Sequence, residues 1–350
     1  MSGTIVAPRQ RELGELSRQL ADWLSRQLPA ATEVQLRNLD YPRGAGQSHE
    51  TILFDAHWRE GAAARSRGLV VRIRPASFTM FPDTLFEQQY RLMRLLHAGG
   101  YVRVAEPLWF EADAAVLGTP FFVMERKYGR VPVSVPPYAQ VGWVAEATPA
   151  QRAHMWESGV RQLAAVQRVP LDELGFLRGP TGARDGLAQE FDKYTRFVAW
   201  LQQSQPWPVL EAGLARLRDR WPRHQPPGLV WGDARLGNMM FDEKFDVIAV
   251  MDWEQPSLGG ALHDLAWWLT LSETMHGTRS GRPPLAGMGT RADTLALWQE
   301  LTGIPTDDIE WYEEFTELKM SCLGVRMAAL RGAPPPDPAW LARRLKVATG

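Results

Sequence analysis

A single cysteine, Cys322, in 350 residues excludes an intrachain disulfide framework and any multi-thiolate zinc site. Charge of one sign is missing as well. Lysine and arginine number 39 against 40 for aspartate and glutamate, a net charge of -1, so no global field draws the chain to nucleic acid or to an anionic membrane. No apolar run approaches the roughly 18 residues that a membrane span requires. The seven histidines neither cluster nor recur four apart, so they do not outline a zinc site. The segment from Met1 to Gln10 has no apolar core of the kind a secretory signal carries. These absences lead us to expect a cytoplasmic protein that meets neither nucleic acid nor a membrane; nothing in them bears on oligomeric state.

What is present is enough apolar sequence, 45%, to bury a sizeable core in two lobes. Leu13, Leu16, Leu20, Leu24 and Leu28 recur near a 3.6-residue period and predict an opening helix that stops at Pro29. Strand patterns follow at 33–39, 51–58 and 69–74, then a helix over 83–98 ended by Gly99-Gly100, then strands at 104–110 and 120–126. This predicts a mainly antiparallel five-stranded sheet with one inserted helix. Gly129, Pro132, Pro136 and Pro137 loosen the chain, so we place a sheet-bearing lobe in 1–126 and a helical lobe in 127–350, an α+β fold overall. Helical patterns dominate the second lobe, at 149–169, 186–203, 209–221, 261–270, 290–302, 307–330 and 338–347.

One stretch there reads as strands. Leu229 to Phe241 leads through the polar turn Asp242 to Lys244 into Val247 to Glu254, which predicts a hairpin. Such a hairpin brings Asn238, at its entrance, close to Asp252, at its exit, while Asp233 waits in the preceding loop. An amide oxygen and a carboxylate facing one point suit Mg²⁺, and Asp233 is then free to accept a proton. Phosphoryl transfer requires this division of labour.

The segment resembles the catalytic-loop motif of the aminoglycoside phosphotransferase family. That family is a branch of the protein-kinase-like superfamily and is related to choline kinases and to the kinase domains attached to some acyl-CoA dehydrogenases. The matching residues are Trp231-Gly232-Asp233, Asn238, Asp252-Trp253-Glu254, Gly259 and Asp264-Leu265-Ala266. The resemblance implies a two-lobed protein-kinase-like fold that uses ATP and Mg²⁺, with Asp233 as general base and Asn238 and Asp252 as metal ligands. It also implies that Asp264 steadies the loop and that Arg235 stabilises charge on the transferred group. Trp231 stands where the family has histidine, and an indole there offers bulk and one donor.

By the same resemblance, Gly44, Gly46 and Ser48 belong to a turn that covers the phosphates, and Arg72 reaches the α- and β-phosphates. Arg72 and Arg74 share one face of their strand. The inserted helix should orient that cation through Glu87, with Gln89 the competing position. Phe121 to Arg126 resembles the hinge, with the backbone of Glu125 and Arg126 pairing with adenine and Met124 packing nearby.

The acceptor is expected to be a small molecule bearing a hydroxyl, and two readings compete with an aminoglycoside-like substrate. One is a hydroxyacyl-CoA or lipid-like hydroxyl. The other is a catalytically silent nucleotide-binding regulator. Trp267, Trp268, Trp298, Trp311 and Trp340 are expected in the core. The acidic run of Asp307, Asp308, Glu310, Glu313, Glu314 and Glu317 is expected to hold a capping box between Asp307 and Glu310 and a solvated helix face.

Overall fold

A computed structural model of the chain describes residues 11–42, 50–75, 79–178, 186–276 and 278–348. The leucine repeat folds as α1 (Leu13–Gln27), which buries Leu16, Leu20, Trp23 and Leu24. Its first turn is closed by the Glu12 carboxylate, which accepts the N–H groups of Gly14 and Glu15.

Five strands follow, β1 (Ala31–Asp40), β2 (Glu50–Glu60), β3 (Ala63–Ile73), β4 (Pro107–Glu111) and β5 (Phe121–Glu125). They form one antiparallel sheet in the order β1-β2-β3-β5-β4. Between β3 and β4 lies α2 (Phe86–Gly99), ended by Gly100 in a left-handed conformation, and the short α3 (Ala114–Leu117) joins β4 to β5. Alternation sorts the two faces. Ile52, Phe54, Val71, Ile73, Phe121 and Val123 pack against α1. The opposite face carries Arg72 beside its cross-strand partner Phe122, and α2 lays Phe86 and Tyr90 on Phe122 with ring centroids 5.2 and 5.7 Å apart.

Several boundaries depart from the sequence pattern: β3 begins at Ala63 rather than 69, the helix expected at 261–270 runs on to Met275, and β4 begins at Pro107 rather than 104. Residues 104–106 are not part of a strand. Val102 and Val104 are buried in the same apolar cluster as the second lobe, and Arg103 between them is a tie between lobes. Its carbonyl accepts the N–H of Val250 at 2.6 Å, its N–H donates to Gln162 Oε1 at 3.0 Å, and its guanidinium donates to the Val247 carbonyl at 2.6 Å. The alternating valines report burial against the second lobe, not a ladder.

The second lobe contains α4 (Trp143–Glu146), α5 (Pro149–Ala165), α6 (Leu187–Leu201), α7 (Pro208–Asp219), the hairpin β6 (Met239–Phe241) and β7 (Val247–Val250), then α8 (Leu262–Met275), α9 (Arg291–Thr302), α10 (Ile309–Leu330) and α11 (Pro338–Leu345). Trp267, Trp268, Trp298 and Trp311 are buried, but Trp340 is 43% exposed, with the Arg344 guanidinium 5.0 Å from its ring centroid. The expected capping box at 307–310 does not form. Asp308 precedes α10 in a left-handed conformation, and its carboxylate instead accepts the N–H groups of Arg223 and His224. A second set of ties between lobes joins the segment before α2 to α6 and α10: Arg326 donates to the Thr79 carbonyl at 2.6 Å, Arg196 pairs with Asp83 at 3.1 Å, and Phe81 packs on Phe197. Among the described residues no helix is long and apolar enough to cross a membrane.

Candidate active site

The loop before β6 is held from behind by α8. Asp264 accepts the N–H of Trp231 at 2.6 Å and of Gly232 at 2.9 Å, which satisfies two buried backbone donors with one carboxylate. Burial pushes the Asp264 carboxyl up to about 6, although those two bonds pull the other way. Gly232 has φ 104°, and a Cβ there would fall 2.6 Å from the Gln255 carbonyl oxygen, so the position demands glycine. Trp231 is fully buried, stacks on Trp253 at 5.6 Å and donates its indole N–H to the Met251 carbonyl at 2.8 Å. The indole thus supplies bulk and one donor, and it ties the catalytic loop to the residue before Asp252.

Asp233 projects from this loop with both oxygens engaged. Oδ1 accepts from Trp267 Nε1 at 2.8 Å, and Oδ2 accepts from Asn238 Nδ2 at 2.6 Å and from Arg235 Nε at 3.0 Å. Arg235 also donates to Ser134 Oγ at 2.7 Å, so the segment between lobes reaches the catalytic loop. Trp267 was expected only to fill the core. The available signal was its place one helical turn after Asp264 on α8, which puts both side chains toward the loop. Nothing in the sequence pointed to Ser134.

Asn238 and Asp252 are brought together by the hairpin. Met239 is registered opposite Val250, and the N–H of Met251 donates to the Asn238 carbonyl at 2.8 Å. With its nitrogen committed to Asp233, Asn238 has Oδ1 left for a ligand. Asp252 sits at φ 64°, a left-handed conformation that costs a non-glycine residue roughly 1–3 kcal/mol. Burial and the neighbouring Glu254 and Asp233 carboxylates push its carboxyl up to about 7, against the pull of Arg72 and Arg235. An amide oxygen beside the Asp252 carboxylate suits a hard divalent cation such as Mg²⁺, though among the described residues no group of three or more carboxylate, histidine or cysteine side chains is gathered to hold one.

On the nucleotide side, Arg72 reaches from β3 to within 3.8 Å of Asp252 Oδ1, while Arg74 lies exposed beyond the strand end. Glu87 does not face Arg72. It is 61% exposed and meets Arg91 on its own helix. Gln89 instead lies on the buried stripe with Phe86, Tyr90 and Met93, and among the described residues neither polar atom of its side chain has a partner. At the hinge, the N–H of Glu125 donates to the Glu106 carbonyl and that of Arg126 to the Gly68 carbonyl, so the sheet has used the donors expected for adenine. Met124 is half-buried on β5. Gly44, Gly46 and Ser48 lie outside the described residues.

Two cavities bear on the acceptor. One adjoins the loop of Asp233, lined by Ser134, Tyr138, Arg235, Leu236, Leu271 and Met275, but at about 10 Å³ it has room for no more than a water. The other, of about 630 Å³, is lined by the glutamates of α10 and by cations from its neighbours. There Glu313 pairs with Arg291 at 2.8 Å, Glu314 with Arg220 at 2.5 Å and Lys346 at 2.8 Å, and Glu317 with Arg279 at 2.5 Å and with Arg344. The acidic run is therefore neutralised by the protein itself.

Comparison with known proteins adds to this geometry. Acyl-CoA dehydrogenase family member 11 of Rattus norvegicus is 28% identical over 238 residues, which cover 64% of this chain but 28% of that protein. The chain thus spans well under half the length of this relative. The solved structure of a putative aminoglycoside phosphotransferase from Ralstonia eutropha has the same fold, with a TM-score of 0.65, 23% identity and 94% of each chain covered. So has a thermostable mutant of aminoglycoside phosphotransferase APH(4)-Ia in ternary complex with ADP and hygromycin B, with a TM-score of 0.53, 14% identity and 94% and 97% of the two chains covered. The model of the phosphotransferase enzyme family matches residues 42–304, most of the sheet, the whole catalytic loop and the hairpin, and the chain belongs to that family.

Proposed function

We propose that this phosphotransferase moves the γ-phosphoryl group of ATP to the hydroxyl of a small-molecule acceptor, with Mg²⁺ bound by Asn238 and Asp252. The observation that carries the reading is the convergence of Asp233, Asn238 and the Met251–Asp252 backbone on one another, held by bonds of 2.6 and 2.8 Å. In this mechanism Asp233 Oδ receives the acceptor's hydroxyl proton as its oxygen bonds to the γ-phosphorus and the bond to the β-phosphate oxygen breaks, releasing ADP. Trp267, Asn238 and Arg235 fix the carboxylate in the required orientation. Arg72 holds the phosphates with a planar, permanently charged group. Bound Mg²⁺ would neutralise charge on the phosphates. Residues 1–126 serve as the nucleotide-covering lobe and 127–350 as the lobe that holds base, metal ligands and acceptor.

The acceptor carries an apolar body rather than several positive charges. One observation weighs against a polycationic aminoglycoside: the glutamates of α10 are already matched by cations of the protein itself. The kinship with an acyl-CoA dehydrogenase family member points the same way.

A nucleotide-consumption screen over hydroxyacyl-CoAs, hydroxy fatty acids, amino alcohols, macrolides and aminoglycosides tests this. Turnover is expected with an apolar hydroxyl and loss of about 10²-fold or more in Asp233→Ala. Undiminished turnover in Asp233→Ala would refute the base, and selective turnover of aminoglycosides would refute the acceptor class.

A further inference from the structure

Residues 253–258, which connect Asp252 to α8, form neither helix nor ladder strand. Their position therefore depends on what holds them from outside: a backbone bridge pairs Ser257 with Val230, with bonds of 2.9 and 3.3 Å, and α6 holds the flanking residues. Gln189 Oε1 accepts the N–H of Leu258 at 2.6 Å, and the N–H of Gly186 donates to the Leu258 carbonyl at 2.7 Å. Ser257 Oγ donates to Glu190 Oε2 at 2.6 Å, and Lys193 Nζ donates to the Gln255 carbonyl at 3.1 Å. Glu190 is the pivot. Its Oε1 accepts from Lys319 of α10 at 2.8 Å and its Oε2 lies 3.4 Å from Lys193. Burial pushes the Glu190 carboxyl up, but the two ammonium groups outweigh it and hold the group far below the usual carboxylate range. Gly259 leaves room for this helix, since a Cβ there would fall 2.6 Å from the Glu190 Cβ.

The Gln255 carbonyl has a second neighbour. It is the atom that a Cβ on Gly232 would strike, so it marks the contact between the segment carrying Asp252 and the loop carrying Asp233. Lys193 fixes that contact point. We propose that Gln189, Glu190 and Lys193 on one face of α6 are positioning residues, which register the metal-ligand segment against the catalytic loop and so set the affinity for Mg²⁺-nucleotide. This rests on the assignment of Asp252 as a metal ligand. A packing helix does not need the arrangement: a carboxylate and two ammonium groups taken out of water are costly, and apolar side chains would fill the same space. What the charged groups add is directed bonds to Gln255 and Ser257.

The test uses the full chain and a non-hydrolysable ATP analogue, its binding followed by calorimetry across a Mg²⁺ titration. Lys193→Met keeps the aliphatic stem and the Glu190–Lys319 pair but removes the donor to Gln255. The Mg²⁺ concentration for half-maximal binding is expected to rise about tenfold, as when other residues that orient metal ligands are removed, with Mg²⁺-free binding unchanged. Lys193→Arg, which restores a donor, should recover part of the loss. Thr290→Ala removes the N-cap of α9 and lowers thermal stability without touching this region; it should leave the Mg²⁺ dependence alone. A Lys193→Met variant with the wild-type Mg²⁺ dependence would overturn the positioning role while leaving the enzyme reading intact. A wild-type chain whose nucleotide binding ignores Mg²⁺ would overturn the metal assignment and the brace with it.

Discussion

Trp267→Phe separates the packing of that side chain from its bond to the base. The indole is buried and its Nε1 lies 2.8 Å from Asp233 Oδ1. A hydrogen bond to an ionised group contributes about 1.5–3 kcal/mol, and about 1.4 kcal/mol is tenfold in rate. Asp233 keeps its bonds on the other oxygen, from Asn238 at 2.6 Å and Arg235 at 3.0 Å, so the carboxylate stays in place and the loss falls at the low end. We expect kcat to fall about tenfold by this reasoning, with the KM for ATP within about twofold, because the indole touches the base and not the nucleotide. Phenylalanine also leaves a small void, which lowers the thermal midpoint whatever the role of the indole. The assay is therefore initial rates at saturating Mg²⁺-ATP over an acceptor series, with thermal unfolding measured in parallel. A lowered midpoint with kcat within twofold of wild type would show that Trp267 only packs and would refute the idea that its N–H orients the base.

Stability should also report on two groups that do not touch Asp233, Asn238 or Asp252. His276 is buried at the end of α8, and burial lowers its ring from the ordinary 6.5 to about 4. The unfolded chain then binds a proton between those values that the folded chain does not, so stability is constant above about pH 7 and falls as pH drops through 6.5 toward 4. The loss is about 3 kcal/mol at most. His276→Phe should flatten that slope in denaturant titrations, and an unchanged slope would rule out this histidine as its source. Glu317, 16% exposed, meets Arg279 and Arg344 near the surface, so Glu317→Gln should cost about 1 kcal/mol of stability. With a screened acceptor, its KM should not move; a large rise would mean that the α10 glutamates bind substrate after all.

How much of this was legible in the sequence differs from residue to residue, and the reasons are physical. The order Asp233, Asn238, Asp252, Asp264 is a local spacing on a loop, a hairpin and a helix start, and a hairpin of that length has little choice but to bring 238 and 252 together. The inserted helix shows a signal read incompletely. Phe86, Tyr90 and Met93 define an apolar stripe, and position 89 lies on it at i+3 from Phe86, whereas Glu87 lies off it. Gln89 is thus legible as a polar residue on an apolar stripe, whereas nothing in the pattern turns the Glu87 carboxylate toward Arg72. At Val102 to Val104 the sequence could not decide, because alternation looks the same whether the buried side faces a neighbouring strand or another lobe.

The remaining blind spot concerns polar groups that act across long sequence separations. Glu190, Lys193 and Lys319 each read as ordinary charged residues on helices, and the acidic start of α10 read as a solvated face. Folding gave the two sets opposite environments. Glu190 and Lys319 are nearly inaccessible, and with Lys193 they reach the backbone of the segment that follows Asp252. The glutamates of α10 lie near the surface and are matched by arginines from α9, α11 and the chain around them. Screening makes the surface pairs weak and mutually replaceable, whereas the buried set acts through bonds whose direction water cannot supply. On the positioning role proposed for them, the charges with most leverage over the Asp252 segment are the ones whose sequence context is least conspicuous, while the conspicuous glutamates of α10 are matched by cations of the protein itself.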